Sequence, residues 1–257
     1  MIARADTRLA CELRPSPNFG PRRGGLRPSI LLLHYTGVPT AAQAIDWLTC
    51  VESEVSCHYG IDEEGRITQM VAEEMRAWHA GEAVWAGERD INSASIGIEI
   101  HNPGHDGGYP DFPEAQLQAV EALCKDIVSR HDIVPERVLA HSDVAPGRKQ
   151  DPGEKFPWGR LAAAGIGHWV TPAPVIGAEP GMGVGVAGPL VADVQLLLAR
   201  YGFGIDATGL IDGRTEQVVA AFQRHFRQAR VDGRIDQSTI TTLQRLIAAL
   251  PPGSPVA

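Results

Sequence analysis

Three stretches of this chain share one grammar: an apolar run, a reactive side chain, then a turn. SILLLHYTG carries Ile30 to Leu33 into His34, and Thr36-Gly37 stops it. SIGIEIHNPG carries Ile96 to Ile98 into Glu99, with Asn-Pro-Gly just beyond. RVLAHSD carries Val138 to Ala140 into His141. Continuous apolar runs of this length fit strands buried on both faces, the signature of a parallel sheet covered by helices. In such sheets the strand ends collect in one crevice, and ligands bind there. A polar group inside an apolar strand is costly unless it binds something. The three segments together therefore predict one site built from His34, Glu99 and His141.

The intervening chain supplies the rest of an α/β layer. TAAQAIDWL reads as a helix opened by Thr40 with Gln43 three residues on, and Ile45, Leu48 and Val51 recur at helical spacing. CHYGIDEEGRITQMV reads as two strands around a Glu-Gly turn. EAQLQAVEALCKDIVSRH is an amphipathic helix with Leu117, Val120, Cys124, Ile127 and Val128 on one side. Residues 1–28, rich in Pro, Arg and Gly, are expected to wrap the surface. The fold expected for residues 1–169 is a mixed, mainly parallel sheet flanked by helices.

Residues 170–187 are Pro, Gly and Ala with few charges, a linker composition. From 188 to 257 the character changes. This part carries seven Arg and six Asp/Glu, whereas the chain as a whole is at −8. It also holds an internal echo: TGLIDGRTEQVVAAFQ and DGRIDQSTITTLQRLI both show Gly-x-Ile-Asp-x-x-Thr ahead of a helix. Asp212 and Asp236 sit where helix N-caps belong. Pro189 suits a first helical position, with Leu190, Val194, Leu197 and Tyr201 following on one face. Three short helices around a small core are predicted.

Composition excludes some roles. A net charge of −8 gives no electrostatic support to nucleic-acid binding. No segment approaches the ~20 apolar residues of a membrane span, and the N-terminus has no apolar run of signal-peptide length. As written, the chain reads as cytoplasmic; an incomplete N-terminus would move it to the periplasm or the outer membrane. Among the four cysteines there is no CxxC pair, so a zinc ribbon is not expected. A Cys50–Cys57 disulfide is an option beside four reduced thiols.

Catalytic zinc sites use three protein ligands and keep a position for water. His34 and His141 supply two nitrogens. The loop HSDVAPGRKQDPG offers Asp143 and Asp151 for the third. Asp143, two residues on, has the spacing that starts a turn; Asp151, held by Pro152-Gly153, can fold back. Glu99 would serve as proton shuttle or, more blandly, as a strand carboxylate paired with an arginine. Lys149 would project beside Asp151 in an extended segment and stabilise an oxyanion, or would be a plain surface lysine.

LLLHYTG, VSCHYGIDEEGRITQMV, AWHAG, SIGIEIHN and HSDVAPGRKQDPGEKFPW, in this order, resemble the zinc-dependent N-acetylmuramoyl-L-alanine amidases of the type-2 amidase family. The likeness covers about residues 15–170. VQLLLARYGF, TGLIDGRTEQVVAAFQRHF and DGRIDQSTITTLQRL resemble the helical peptidoglycan-binding module carried by its AmiD-like branch. The resemblance implies one Zn2+ per chain held by His34, His141 and Asp151, acid/base work by Glu99, transition-state stabilisation by Lys149, and a peptidoglycan or muropeptide substrate. It further implies a monomer, a packing or substrate-lining role for Tyr59, a stem-peptide contact by His79, and an Arg148 pair with a peptide carboxylate. A non-catalytic peptidoglycan receptor and a zinc peptidase are the rival readings. The C-terminal module either binds glycan or packs on the catalytic part and shapes its cleft. The branch is commonly anchored by a lipid, and no attachment signal is present here.

Overall fold

Hydrogen-bond register decides which residues meet, and the computed structural model gives it for Ile2, residues 4–177 and residues 180–254. Eight strands are described: β1 (Cys11–Leu13), β2 (Phe19–Pro21), β3 (Ile30–Tyr35), β4 (Tyr59–Ile61), β5 (Ile67–Gln69), β6 (Met75–Ala77), β7 (Ser95–Ile100) and β8 (Val138–Ala140). Six form one sheet in the order β1-β5-β4-β7-β3-β8. Every pairing in it is parallel except the β4–β5 hairpin. That hairpin closes at Gly65, whose φ of +79° a glycine adopts without strain. The mixed, mainly parallel sheet is the one expected.

The N-terminal residues do more than wrap the surface. β1 extends the sheet beside β5, and β2 pairs antiparallel with β6. The Arg22 guanidinium then donates to the carbonyls of Ser93 (2.7 Å), just ahead of β7, and Ser95 (2.9 Å), its first residue. Their composition signalled coil, but strand pairing is decided by the partner edge, which composition does not show.

Helices cover both faces. α1 (Ala41–Leu48) begins where Thr40 accepts from the Gln43 N–H, and buries Ala44 and Leu48. Val51 falls outside it, 58% exposed. α2 (Ile91–Ala94) is a single turn capped by Asp90. α3 (Glu114–His131) buries Leu117, Val120, Leu123, Cys124 and Ile127. After the short α4 (His141–Val144) and α5 (Trp158–Ala163), the chain reaches α6 (Pro189–Tyr201), α7 (Gly213–Phe226) and α8 (Gln237–Ala248). None of these is long and apolar enough to cross a membrane, among the described residues. All four thiols are free, so the optional Cys50–Cys57 bridge is not formed.

Strand alternation splits the core in two. Leu31, Leu33, Ile96, Ile98, Tyr59 and Ile61 face α3. Ile30, Leu32 and Leu139 face the other way and share one cluster with Val194, Phe222 and Leu243 of the C-terminal helices. The small separate core expected for the helical part is thus continuous with the sheet's own. The α6 stripe is also rotated from the one expected: Val191, Val194, Leu198 and Tyr201 are buried, whereas Leu190 is 49% exposed. Spacings of 3, 4 and 3 from Val191 make the narrower stripe, and Leu190 falls on its shoulder.

The internal echo is structural. Asp212 and Asp236 cap α7 and α8 by accepting from Thr215 and Thr239 N–H groups. Ahead of each cap a fully buried glutamine braces the turn. Gln195 accepts from Gly209 N and donates to the Leu210 carbonyl; Gln223 accepts from Gly233 N and donates to the Arg234 carbonyl. Each satisfies backbone that would otherwise be buried without a partner.

A continuous core predicts one unfolding event. Phe222→Ala should cost about 3–5 kcal/mol. It should move the urea transition seen by tryptophan fluorescence and the one seen by far-UV circular dichroism together. Two separated transitions would contradict the shared core.

Candidate active site

Parallel register brings the predicted strand ends together. His34 pairs with Glu99 across β3–β7, and Leu33 pairs with Ala140 across β3–β8, so His141 emerges beside His34. The loop after α4 folds Asp151 back onto both. His34 Nδ1 and His141 Nδ1 lie 2.8 Å apart, with Asp151 Oδ2 at 3.1 Å and 2.9 Å from them. These three buried residues are the group able to hold a metal ion, among the described residues. Asp143, the rival carboxylate, instead accepts from Ala140 N at 2.8 Å and from His225.

The outer nitrogens fix the protons. Ser95 gives its hydroxyl hydrogen to the Ile91 carbonyl (2.5 Å), so at His79 Nε2 (3.3 Å) it can only accept. His79 Nδ1 is then bare and accepts from His34 Nε2–H at 3.0 Å. His34 Nδ1 is bare in turn. His141 Nε2–H donates to the Ala80 carbonyl at 3.0 Å, which leaves its Nδ1 bare too. Two imidazole lone pairs and a carboxylate oxygen therefore face one another with no proton between them. That donor set suits a cation, and neutral imidazoles with satisfied outer nitrogens are how metal-binding histidines are held.

Burial favours the uncharged form of the neighbouring imidazoles. It pulls His34 down to about 4. It pulls His79 well below the usual range and His58 down to about 3.

Glu99 points into the same crevice. Burial raises its carboxyl well above the ordinary value, Asp151 raises it further, and Lys149 opposes both. Its Oε2 has no hydrogen-bond partner among the described residues. An orphaned carboxylate beside a metal-ligand set is poised to accept a proton. Glu99, Lys149, Asp151 and His79 line one cleft of about 390 Å3, with Trp47 and Trp78 on its walls. The strand carboxylate is thus not paired with an arginine, and Lys149 is not a plain surface residue.

The three expected substrate contacts are held in different ways. Tyr59 pairs with Ile98 rather than Glu99, and so projects to the α3 face. It is fully buried and its hydroxyl donates to Glu73 at 2.7 Å. Arg148 donates to the Ala80 (2.5 Å) and Glu82 (2.6 Å) carbonyls, and so braces the loop instead of offering a free guanidinium. His79 lines the cleft, but its ring nitrogens are engaged by His34 and Ser95. Asn92, which the sequence reading missed, accepts from both His79 N (3.0 Å) and Ala80 N (2.8 Å). One dipeptide thereby orients both ligand histidines, His79 by its ring and Ala80 by its carbonyl. The signal was present in INSAS, where a polar pair precedes an apolar strand.

With this geometry in view, the chain's similarities can be read. Residues 24–154 match the family model for N-acetylmuramoyl-L-alanine amidase, and residues 187–243 match one for a peptidoglycan binding domain. The chain belongs to the N-acetylmuramoyl-L-alanine amidase family. It is 36% identical over 237 residues to the amidase AmiD of Escherichia coli, covering 86% of this chain and 83% of the relative. It is 31% identical to the 1,6-anhydro-N-acetylmuramyl-L-alanine amidase AmpD of Citrobacter freundii, over 58% of this chain and 87% of that one. The solved AmiD complex with anhydro-N-acetylmuramic acid-L-Ala-D-gamma-Glu-L-Lys superposes with a TM-score of 0.73 at 35% identity, covering 91% of this chain and 92% of that one. AmpDh3 of Pseudomonas aeruginosa with an anhydromuramic pentapeptide gives 0.70 at 31%, covering 95% and 97%.

His79→Ala should weaken metal binding roughly 10- to 100-fold by releasing the His34 ring, as chelator competition at equilibrium would measure. A second expectation follows from the neutral imidazoles. Folded His34, His58 and His79 bind protons less readily than they do unfolded, so stability is full above pH ~6.5 and falls on acidification toward 4. Each contributes up to about 1.4 kcal/mol per pH unit in that window. Equal urea midpoints for the metal-free chain at pH 7.5 and 5.5 would contradict it.

Proposed function

We propose that this amidase hydrolyses the amide joining the lactyl group of N-acetylmuramic acid to L-alanine, in peptidoglycan or its fragments, with one Zn2+ at His34, His141 and Asp151. The observation that carries the reading is the convergence of two bare Nδ1 atoms and a carboxylate oxygen beside an unpartnered Glu99. Two nitrogens and one oxygen suit zinc, with a fourth position left for solvent. The substrate class rests on the family and on the muropeptides held by AmiD and AmpDh3.

When bound, zinc lowers the pKa of a coordinated water toward ~7 and polarises a carbonyl. The chain's own residues do the rest. Glu99, whose burial raises its proton affinity, takes a proton from the attacking water as the carboxylate. The same carboxyl then protonates the alanine nitrogen as the C–N bond breaks. Lys149 stands beside the developing oxyanion and offsets its charge. The outer partners of the two imidazoles keep each Nε2–H turned away, so that both Nδ1 lone pairs and the Asp151 carboxylate face the metal position.

Glu99→Gln should keep one equivalent of zinc and lose roughly 10^2- to 10^4-fold in kcat. Lys149→Ala should lose roughly 10^2- to 10^3-fold. Mass spectrometry of a digested muropeptide should show free muramic acid and an intact stem peptide. Release of single amino acids would favour a peptidase, and an unchanged substrate with zinc bound would favour a receptor.

A further inference from the structure

Helix α7 belongs by sequence to the peptidoglycan-binding part, yet it lies against the loop that carries Lys149 and Asp151. Its His225 Nδ1 is 2.6 Å from Asp143 Oδ2, and both side chains are almost wholly buried. The His225 ring stacks on Trp158 with centroids 3.7 Å apart. Asp143 Oδ2 also caps Ala140 N, one residue before His141. Its Oδ1 has no partner among the described residues. The Asp143 carboxylate is therefore held by one backbone N–H and one imidazole from the other end of the chain. Further along the loop, Arg214 donates to the Pro146 carbonyl at 3.2 Å, and Gln228 donates to the Phe156 carbonyl at 2.7 Å. The Gln217 amide packs directly over Gly147, so a side chain there would have to displace it.

We propose that His225 is a positioning residue of the amidase site. By holding Asp143 it fixes the α4 turn, and so the direction from which His141 and the returning Asp151 meet His34. The helical unit is on this account part of the metal site as well as a member of a binding family. A ligand set without its supporting shell loses affinity, and an N–H donor to a buried carboxylate is costly to remove. The inference rests on the metal reading above, and the two are separable. If the native full-length chain retains no zinc, the metal reading fails; if it retains zinc and the variants bind equally well, only the role of His225 fails.

The experiment compares zinc affinity by chelator competition in full-length variants whose folding is verified by circular dichroism. His225→Ala is expected to weaken zinc roughly 10-fold or more and to lower kcat on a muropeptide with KM little changed. His225→Asn, whose amide N–H can take the place of Nδ1–H, is expected to recover most of the affinity; His225→Gln, with its amide one bond further out, is not. Leu243→Ala, buried in α8, is expected to lower the unfolding midpoint but leave zinc affinity within about twofold, since it lies outside the ligands' supporting shell. Wild-type zinc affinity in folded His225→Ala would overturn the proposal, as would an equal loss in Leu243→Ala. Should His225→Ala fail to fold, equal affinities in the Asn and Gln variants would overturn it.

Discussion

The register of three adjacent parallel strands governs this molecule. With His34 opposite Glu99 and Leu33 opposite Ala140, the two histidines of the candidate metal site and Glu99 occupy one end of one face. A slip of one residue would send His34 to the α3 side and Leu33 into the crevice. Apolar alternation guards against that slip. Leu31 and Leu33 must meet Ile96 and Ile98 under α3, so the buried hydrophobic surface that stabilises the fold also aligns the chemistry.

Charge is managed by the same economy of position. Three electron-rich groups face each other inside the protein, an arrangement that is repulsive without a cation. The surrounding bonds turn the imidazole protons outward: Ile91 holds the Ser95 hydroxyl, Ser95 holds His79, and His79 holds His34. A backbone carbonyl of α2 thereby dictates the tautomer of His34 near the top of β3.

The site was legible to the extent that local patterning implied it. His34, Glu99 and His141 were visible because a polar side chain at the end of an apolar strand is expensive, and Asp151 because its loop must return. Tyr59 was not, since alternation tells which residues share a face but not which face holds the cleft. The service of His79 to His34 was hidden by the 45 residues between them. The shared core was hidden for a different reason. A Pro- and Gly-rich stretch reports how the chain bends locally and says nothing about whether the segments it joins go on to pack together. Val194 and Tyr201 announced a helix with an apolar stripe, and only the assembled sheet shows that Leu32 and Leu139 complete the same core.

Gly97 shows how a position can matter through having no side chain. It lies on β7 between Ile96 and Ile98, on the cleft face, and a methyl group there would collide with the His79 ring and the Cys57 sulfur. The imidazole rests directly on bare main chain, near enough to reach His34. Size, rather than polarity, is what this position excludes. A single added carbon would disarm the centre from a residue that neither titrates nor coordinates, and a survey confined to polar groups would pass over it.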